Sequence, residues 1–226
     1  DPINQDMAHA YTNHTQIKWN GIIGDMKFTA SEQDRITNLQ IYPDVTSGRI
    51  KATFDGEGSA LRYEIRTVQG ELVVEGDIEE GSSEITIPKP DGVALWDEFH
   101  PNLYVFNVLS EKETVAAKFG FAQIENVDGT LTLNGKRIYL RGNLECAIFP
   151  LTGHPPMKKE EWASLISQAK AYGLNHLRFH SWCPPKAAFQ AADETGFYYQ
   201  VELPHWSLRF GEDEKTTNFL LEEAHR

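Results

Sequence analysis

The spacing of apolar residues changes near residue 126, and this change constrains the fold more than any other feature of the sequence. Residues 34–125 contain short segments in which apolar and polar residues alternate, separated by turn dipeptides such as Asp55-Gly56 and Asp91-Gly92. After residue 126, similar segments alternate with longer ones in which apolar residues recur every three or four positions. The first pattern is typical of strands and the second of helices. We therefore predict an all-β domain followed by an α/β segment.

The all-β part is predicted to be an immunoglobulin-like sandwich, because about seven short strands over roughly 90 residues are typical of that fold. The part contains no cysteine, so two packed apolar faces must hold it together, with Trp96 closing one end of the core. The predicted strands are Ile36–Tyr42, Arg49–Phe54, Leu61–Thr67, Leu72–Gly76, Glu84–Ile87, Leu103–Leu109 and Thr114–Gln123.

The α/β part opens with a predicted hairpin whose turn is Asn134-Gly135, a pair that favours the type I′ geometry. Strands and helices then alternate, which indicates parallel strands joined by right-handed crossovers. The predicted strands are Ile138–Arg141, His176–His180 and Tyr198–Leu203, and the predicted helices are Lys158–Tyr172, a segment from Pro184-Pro185 to Glu194, and Glu214–Arg226. Residues 1–33 contain two further predicted strands, Gln16–Trp19 and Ile22–Phe28, which need another domain to pack on.

Composition excludes several classes of function. The chain has 21 Lys and Arg against 33 Asp and Glu, a net charge of −12, which disfavours partners rich in phosphate such as nucleic acids. No apolar run approaches the ~20 residues of a membrane span. Two cysteines, Cys146 and Cys183, are too few for a disulfide scaffold or a four-ligand zinc site. They follow adjacent strands, and we predict free buried thiols rather than a disulfide.

Five stretches resemble segments of the glycoside hydrolase family 2 enzymes, which include β-galactosidases, β-glucuronidases and β-mannosidases. Among them are Leu133-Asn134-Gly135-Lys136, similar to the entry of the family's barrel, and Gly173-Leu174-Asn175-His176-Leu177-Arg178, similar to its second strand. The family runs from a jelly roll through an immunoglobulin-like domain to a (β/α)8 barrel. The resemblance therefore implies that residues 1–33 end the jelly roll, 34–125 form the sandwich and 126–226 form the first three βα units of an incomplete TIM barrel. The five stretches, in the family's order, are residues 19–24, 95–104, 121–142, 173–178 and 189–198.

The resemblance implies an exo-acting, retaining hydrolase of β-glycosides, in which two carboxyl groups ~5–5.5 Å apart act as acid/base and nucleophile. In the family the acid/base glutamate follows an asparagine, and this sequence contains no Asn-Glu dipeptide. We therefore expect both catalytic carboxylates to lie beyond Arg226 and this chain alone to be inactive. A carbohydrate would be the parent enzyme's partner, and the family suggests an exported bacterial protein, periplasmic or extracellular.

Arg178 is the strongest site candidate, because the matching family residue holds the nucleophile carboxylate ionised; the alternative is a surface arginine paired with a neighbouring helix. Active sites of such barrels lie at the carboxyl ends of the strands. Those ends are predicted to carry Arg141, Asn143, Glu145, His180, Trp182, Glu202, His205 and Trp206 as substrate-binding candidates. The tryptophans either stack on a sugar or pack beneath the barrel rim. The resemblance implies no cofactor, although Glu202 matches a magnesium ligand of some members.

A second reading of the sequence is a non-catalytic immunoglobulin-like module that binds carbohydrate or serves as a spacer. Three βα units cannot close a barrel, so their sheet should have an open edge and an uncovered face. We expect a second copy of the chain to cover this face, or the segment to form a sheet that is not a barrel.

Overall fold

The computed structural model describes residues 19, 21–28, 30, 35–56, 61–206 and 211–225. The chain divides into two compact units. One unit is Lys27–Tyr139, and its described residues form strands and turns without a helix. The other joins Asp1–Met26 to Leu140–Arg226 and contains parallel strands and helices.

Seven strands of the first unit form two antiparallel sheets, with orders β1-β2-β5 and β4-β3-β6-β7. The immunoglobulin-like sandwich is confirmed, and most strand ends lie within two residues of the predicted ones. The exception is β7, which ends at Phe119 rather than Gln123. Trp96 lies against the next residue, Gly120, so closely that a Cβ there would be 2.8 Å from the Cβ of Trp96. The strands are β1 Thr37–Asp44, β2 Arg49–Asp55, β3 Arg62–Thr67, β4 Leu72–Asp77, β5 Glu84–Pro88, β6 Tyr104–Leu109 and β7 Thr114–Phe119.

The core of the sandwich follows the two-residue period of the sequence. Tyr104, Phe106 and Val108 of β6 are buried, and the residues between them are half-buried. The ring of Phe121 lies 5.1 Å from those of Tyr104 and Phe119, both in edge-to-face geometry. Each such side chain stabilises the fold by about 1.5–3 kcal/mol on burial, so packing holds the two sheets together without a disulfide.

The hairpin turn at Asn134-Gly135 is attached to the sandwich. Strands β8 (Ile124–Val127), β9 (Thr130–Leu133) and β10 (Lys136–Arg137) form a small sheet, and both turn residues have positive φ, 50° and 75°, as a type I′ turn requires. Asn134 Nδ2 donates to the carbonyls of Trp96 (3.1 Å) and Phe121 (3.2 Å), and its Oδ1 accepts from the amide of Gln123 (2.8 Å). These bonds place the hairpin in the first unit, although the sequence pattern assigned it to the α/β segment.

We predict that Asn134→Ala lowers the free energy of unfolding by about 2 kcal/mol, because the backbone groups that bind the Asn134 side chain lose their partner. The substitution also places alanine at a φ of 50°, a left-handed conformation that asparagine tolerates better. Asn126→Ala, at an exposed position of β8, is the matched control and should change stability by less than about 0.5 kcal/mol. Urea denaturation of both variants measures the difference. Equal effects would show that the Asn134 side chain is not a structural link.

The second unit contains the predicted parallel sheet, with order β11-β12-β13. Helix α2 begins after Pro185 and is capped at its carboxyl end by Gly196. The φ of Gly196 is 71°, a left-handed conformation that glycine adopts without a steric penalty because it has no Cβ. The elements are β11 Gly142–Glu145, α1 Lys159–Ala171, β12 His176–Phe179, α2 Lys186–Thr195, β13 Tyr198–Val201 and α3 Glu214–His225. The βα units predicted from the sequence are confirmed.

One face of this sheet is covered by helices, and the other is exposed only towards the carboxyl ends of its strands, since His176 and Tyr198 on that face are buried. Trp162 and Ile166 of α1 and three alanines of α2 pack with Phe179 in one apolar cluster. The row Leu144, Arg178 and Gln200, which are in register across the three strands, is exposed to solvent. The uncovered face expected for three βα units is therefore present only in part, and its exposed row contains one apolar and two polar side chains.

Two predicted strands are wrong. Ile138–Arg141 is not a strand, and β11 begins at Gly142. Asn175 fixes the backbone of Arg141 just before the sheet starts: the Arg141 amide donates to Asn175 Oδ1 (2.7 Å), and the Asn175 amide donates to the Arg141 carbonyl (2.9 Å). Ile22–Phe28 is described and forms no strand. Gln16–Trp19 lies outside the described residues except for Trp19. None of the described helices is long and apolar enough to span a membrane.

Candidate functional site at the carboxyl edge of the parallel sheet

The carboxyl ends of β11 and β12 are joined by backbone and side-chain hydrogen bonds. The amide of His180 donates to the carbonyl of Glu145 (2.8 Å), and Trp182 Nε1 donates to the same oxygen (3.2 Å). Glu202 follows β13 at the same edge, because the three strands are parallel and in register. The sheet therefore brings Glu145, His180, Trp182 and Glu202 to one edge, where sequence analysis expected them.

Arg178 is fixed by a carboxylate of the next strand. Its Nε and Nη2 both contact Oε1 of Glu202, and Oε2 of Glu202 accepts the amide of Ser181 at 2.9 Å. Arg178 is therefore paired with a residue that follows β13 and not with a helix, which was the alternative considered from the sequence. The Arg178 side chain is not buried, and as a whole it is 46% exposed.

Glu145 is a carboxyl group held in an unusual environment. Burial raises its pKa from 4.5 to about 7, and hydrogen bonds from the backbone amides of Ile148, Ala147 and Cys146 offset part of this rise. Oε2 accepts from Ala147 and Oε1 from Ile148, both at 3.2 Å. A carboxyl group that titrates near neutral pH is a frequent property of functional sites.

His180 contacts one side chain from each flanking loop. Its Nδ1 lies 3.9 Å from Cys146 Sγ, and its ring is 5.5 Å from that of Trp206 in edge-to-face geometry. Burial and the neighbouring Glu145 carboxylate raise the pKa of Cys146. The thiol is therefore protonated at neutral pH and is a poor nucleophile.

The two tryptophans at this edge have different environments. Trp182 is 2% exposed, and its ring is 5.4 Å from that of Phe179 in the apolar cluster. It therefore packs beneath the edge and cannot stack on a sugar. Trp206 is 50% exposed.

Arg141 lies at the opposite end of the sheet, which corrects its predicted place at a strand's carboxyl end. It precedes β11, and its Nε donates to the carbonyl of Gly173, before β12 begins. Asn143 is exposed within β11, and its Oδ1 accepts the amide of Leu144 (2.9 Å). His205 lies after β13, where its amide donates to the carbonyl of Leu203 (2.6 Å). The structure does not bring Arg141 together with the other candidates.

Two residues at this edge were missed by sequence reasoning. Ala147 and Ser181 have φ values of 57° and 55°, in the left-handed region that residues other than glycine rarely adopt. Both are almost completely buried. Alanine and serine carry no sequence signal for this conformation, so only the structure reveals it.

Both cysteines are free, as predicted, but Cys183 is exposed rather than buried. Burial raises the pKa of both thiols, so exposure distinguishes them. We predict that an aromatic disulfide reagent at pH 8 titrates two thiols in the native chain, the exposed Cys183 quickly and the half-buried Cys146 slowly. Cys183→Ser should remove the fast phase only. A single phase of two thiols would contradict these environments.

No protein-family model matches the chain, but sequence relatives and solved structures do. The chain is 25% identical over 195 residues to the β-galactosidase large subunit of Latilactobacillus sakei, covering 80% of this chain and 31% of that protein. It is 32% identical over 130 residues to a putative β-glucuronidase of Formosa agariphila, covering 55% and 16%. The structure of Ruminococcus gnavus β-glucuronidase with C6-substituted uronic isofagomine matches with a TM-score of 0.64 at 21% identity, covering 83% and 32%. The resemblance to glycoside hydrolase family 2 is confirmed.

The chain spans about a third or less of these family 2 relatives. The chain is 30% identical over 147 residues to a β-galactosidase of Halalkalibacterium halodurans, and the match covers 62% of this chain and 14% of that protein. A β-glucuronidase structure from Faecalibacterium prausnitzii has a TM-score of 0.60 at 23% identity, and the match covers 76% of this chain and 28% of that one. The likeness in structure supports the sandwich and the βα units as the family's fold.

Both carboxylate oxygens of Glu202 have partners within the same unit. One of its oxygens contacts the Arg178 guanidinium and the other accepts a backbone amide, so both lone-pair regions face positive groups. Among residues 19–206 and 211–225, apart from the few not described, no three His, Cys, Asp or Glu side chains gather as a metal site.

Proposed function

We propose that these residues form part of a retaining, exo-acting β-glycoside hydrolase. The observation that carries the proposal is the sequence likeness to β-galactosidases and a putative β-glucuronidase, which runs through both units of the chain. The carboxyl edge of the parallel sheet supports it, because barrels of this kind bind their substrates there.

Within this proposal Arg178 orients an anionic group at the open face. Glu202 holds the Nε and Nη2 side of the guanidinium, and the rest of the fork can donate to a second carboxylate, which is how an arginine keeps a neighbouring carboxylate ionised. Trp206 offers an exposed ring for the apolar face of a sugar, and His180 supports that ring from its edge.

The 226 residues alone are proposed to be inactive. Retaining hydrolysis needs an acid/base and a nucleophile ~5–5.5 Å apart. The family pattern for the acid/base, a glutamate after an asparagine, does not occur in this sequence. Glu145 and Glu202 each accept a backbone amide of their own unit.

The test is hydrolysis of a panel of aryl β-glycosides by this chain and by the product of the reading frame that contains it. We expect turnover of at least one substrate, among β-galactoside, β-glucuronide and β-mannoside, by the second protein and none by the first. Turnover by the 226-residue chain would overturn the proposed inactivity. A full product that cleaves none of the panel but binds a sugar would favour the carbohydrate-binding module.

A further inference from the structure

The turns that follow β11 and β12 share a feature that the proposed function does not explain. Each contains one buried residue in the left-handed region, Ala147 after β11 and Ser181 after β12. This conformation costs an L-residue about 1–2 kcal/mol, so the surrounding structure has to impose it.

In each turn the amide of the left-handed residue donates to a glutamate carboxylate. The Ala147 amide donates to Oε2 of Glu145 at 3.2 Å, within the same turn. The Ser181 amide donates to Oε2 of Glu202 at 2.9 Å, which comes from the neighbouring strand. A carboxyl oxygen in either protonation state accepts such a hydrogen bond, which is suited to offset backbone strain, and an ionised acceptor makes the stronger bond.

We propose that Glu145 and Glu202 are positioning residues whose carboxylates hold the left-handed turns at Ala147 and Ser181. The side chains placed by these turns are the ones next to them in sequence. Cys146 and His180 immediately precede the left-handed residues, and their side chains meet at 3.9 Å. The two turns therefore determine together how the loops of adjacent strands meet at the carboxyl edge.

Glu202 has a second contact that Glu145 lacks. Its other oxygen binds Arg178, so one carboxylate fixes both the turn at Ser181 and the exposed guanidinium of β12. Loss of Glu202 should therefore disturb Arg178 and the turn together, whereas loss of Glu145 should disturb only its own turn.

The test is backbone NMR of the chain, in which chemical shifts and the amide–Hα coupling report φ at residues 147 and 181. In Glu202→Ala we expect Ser181 to leave the left-handed region while Ala147 keeps it, and in Glu145→Ala the reverse, so each variant controls for the other. Glu202→Gln, which keeps an oxygen acceptor, should retain the turn. A positive φ at both residues in both alanine variants would overturn the proposal.

Thiol chemistry gives a second readout, in which rescue by glycine separates the turn geometry from a general loss of stability and from the removed carboxylate charge. In the Cys183→Ser background, either alanine variant should raise the rate of Cys146 modification by about fivefold or more under native conditions, because each releases one side of the Cys146–His180 contact. Glu202→Ala combined with Ser181→Gly should return the rate towards that of the parent, since glycine adopts positive φ without the stabilising hydrogen bond to Glu202. An unchanged rate in both alanine variants would contradict the proposal. Neither readout depends on substrate turnover, so their failure is distinguishable from a failure of the proposed hydrolase activity.

Discussion

Replacing Glu145 with glutamine is expected to stabilise the chain at pH 8 by up to about 3 kcal/mol and to leave its stability near pH 4 almost unchanged. The pKa of this carboxyl group is raised from 4.5 to about 7 in the folded state, chiefly by burial. Below pH 4.5 the group is protonated in both states and contributes no penalty. As pH rises from 4.5 to 7, ionisation favours the unfolded state by about 1.4 kcal/mol for each pH unit.

Urea denaturation of the parent and of Glu145→Gln at pH 4, 6 and 8 measures this effect. The difference in unfolding free energy should grow between pH 4 and 7 and then level off. Glu222→Gln on the exposed surface of α3 is the matched control, with an expected change below about 0.5 kcal/mol at each pH. A stability difference that does not vary with pH, or a loss of stability at pH 8, would contradict the assigned environment of Glu145.

Phe179→Ala is expected to lower the free energy of unfolding of the parallel-sheet unit by about 3–5 kcal/mol. The Phe179 side chain is fully buried, and its ring lies within 6.0 Å of those of Trp162, Trp182 and Tyr199. Removing it leaves a cavity lined by rigid rings, which cannot collapse easily to fill the space.

Phe99→Ala is the control for this large-to-small change, since Phe99 is 77% exposed in the sandwich and should alter stability by less than about 0.5 kcal/mol. Tryptophan fluorescence during urea denaturation follows the unit that contains Trp162 and Trp182. Similar losses in the two variants would mean that the ring cluster does not carry the stability of the parallel sheet.

Local patterns in the sequence were sufficient for most of the fold. Strand β3 has buried Tyr63 and Ile65 between more exposed residues, as its alternation requires. The turn at Asn134-Gly135 has two positive φ values, which these two residue types tolerate. The patterns did not predict which unit this hairpin joins, because that depends on hydrogen bonds from Asn134 to residues far away in sequence.

The candidate site was less predictable, because it depends on tertiary contacts. Arg141 was placed at the wrong end of the sheet, since the start of β11 is set by Asn175, 34 residues later. Trp182 and Trp206 carry the same side chain, yet one is buried against Phe179 and the other is exposed. The left-handed turn at Ser181 has no signature in the sequence at all.

The most direct test of a glycosidase site at this edge compares two arginines at opposite ends of the sheet. The complete reading-frame product is assayed on the aryl β-glycoside that it cleaves best, with Arg178→Ala and Arg141→Ala as the variants. We predict that kcat/KM falls about 100-fold or more in Arg178→Ala, because a preorganised donor at the site is lost, and changes less than about threefold in Arg141→Ala. Equal effects of the two substitutions, or full activity in Arg178→Ala, would contradict the account.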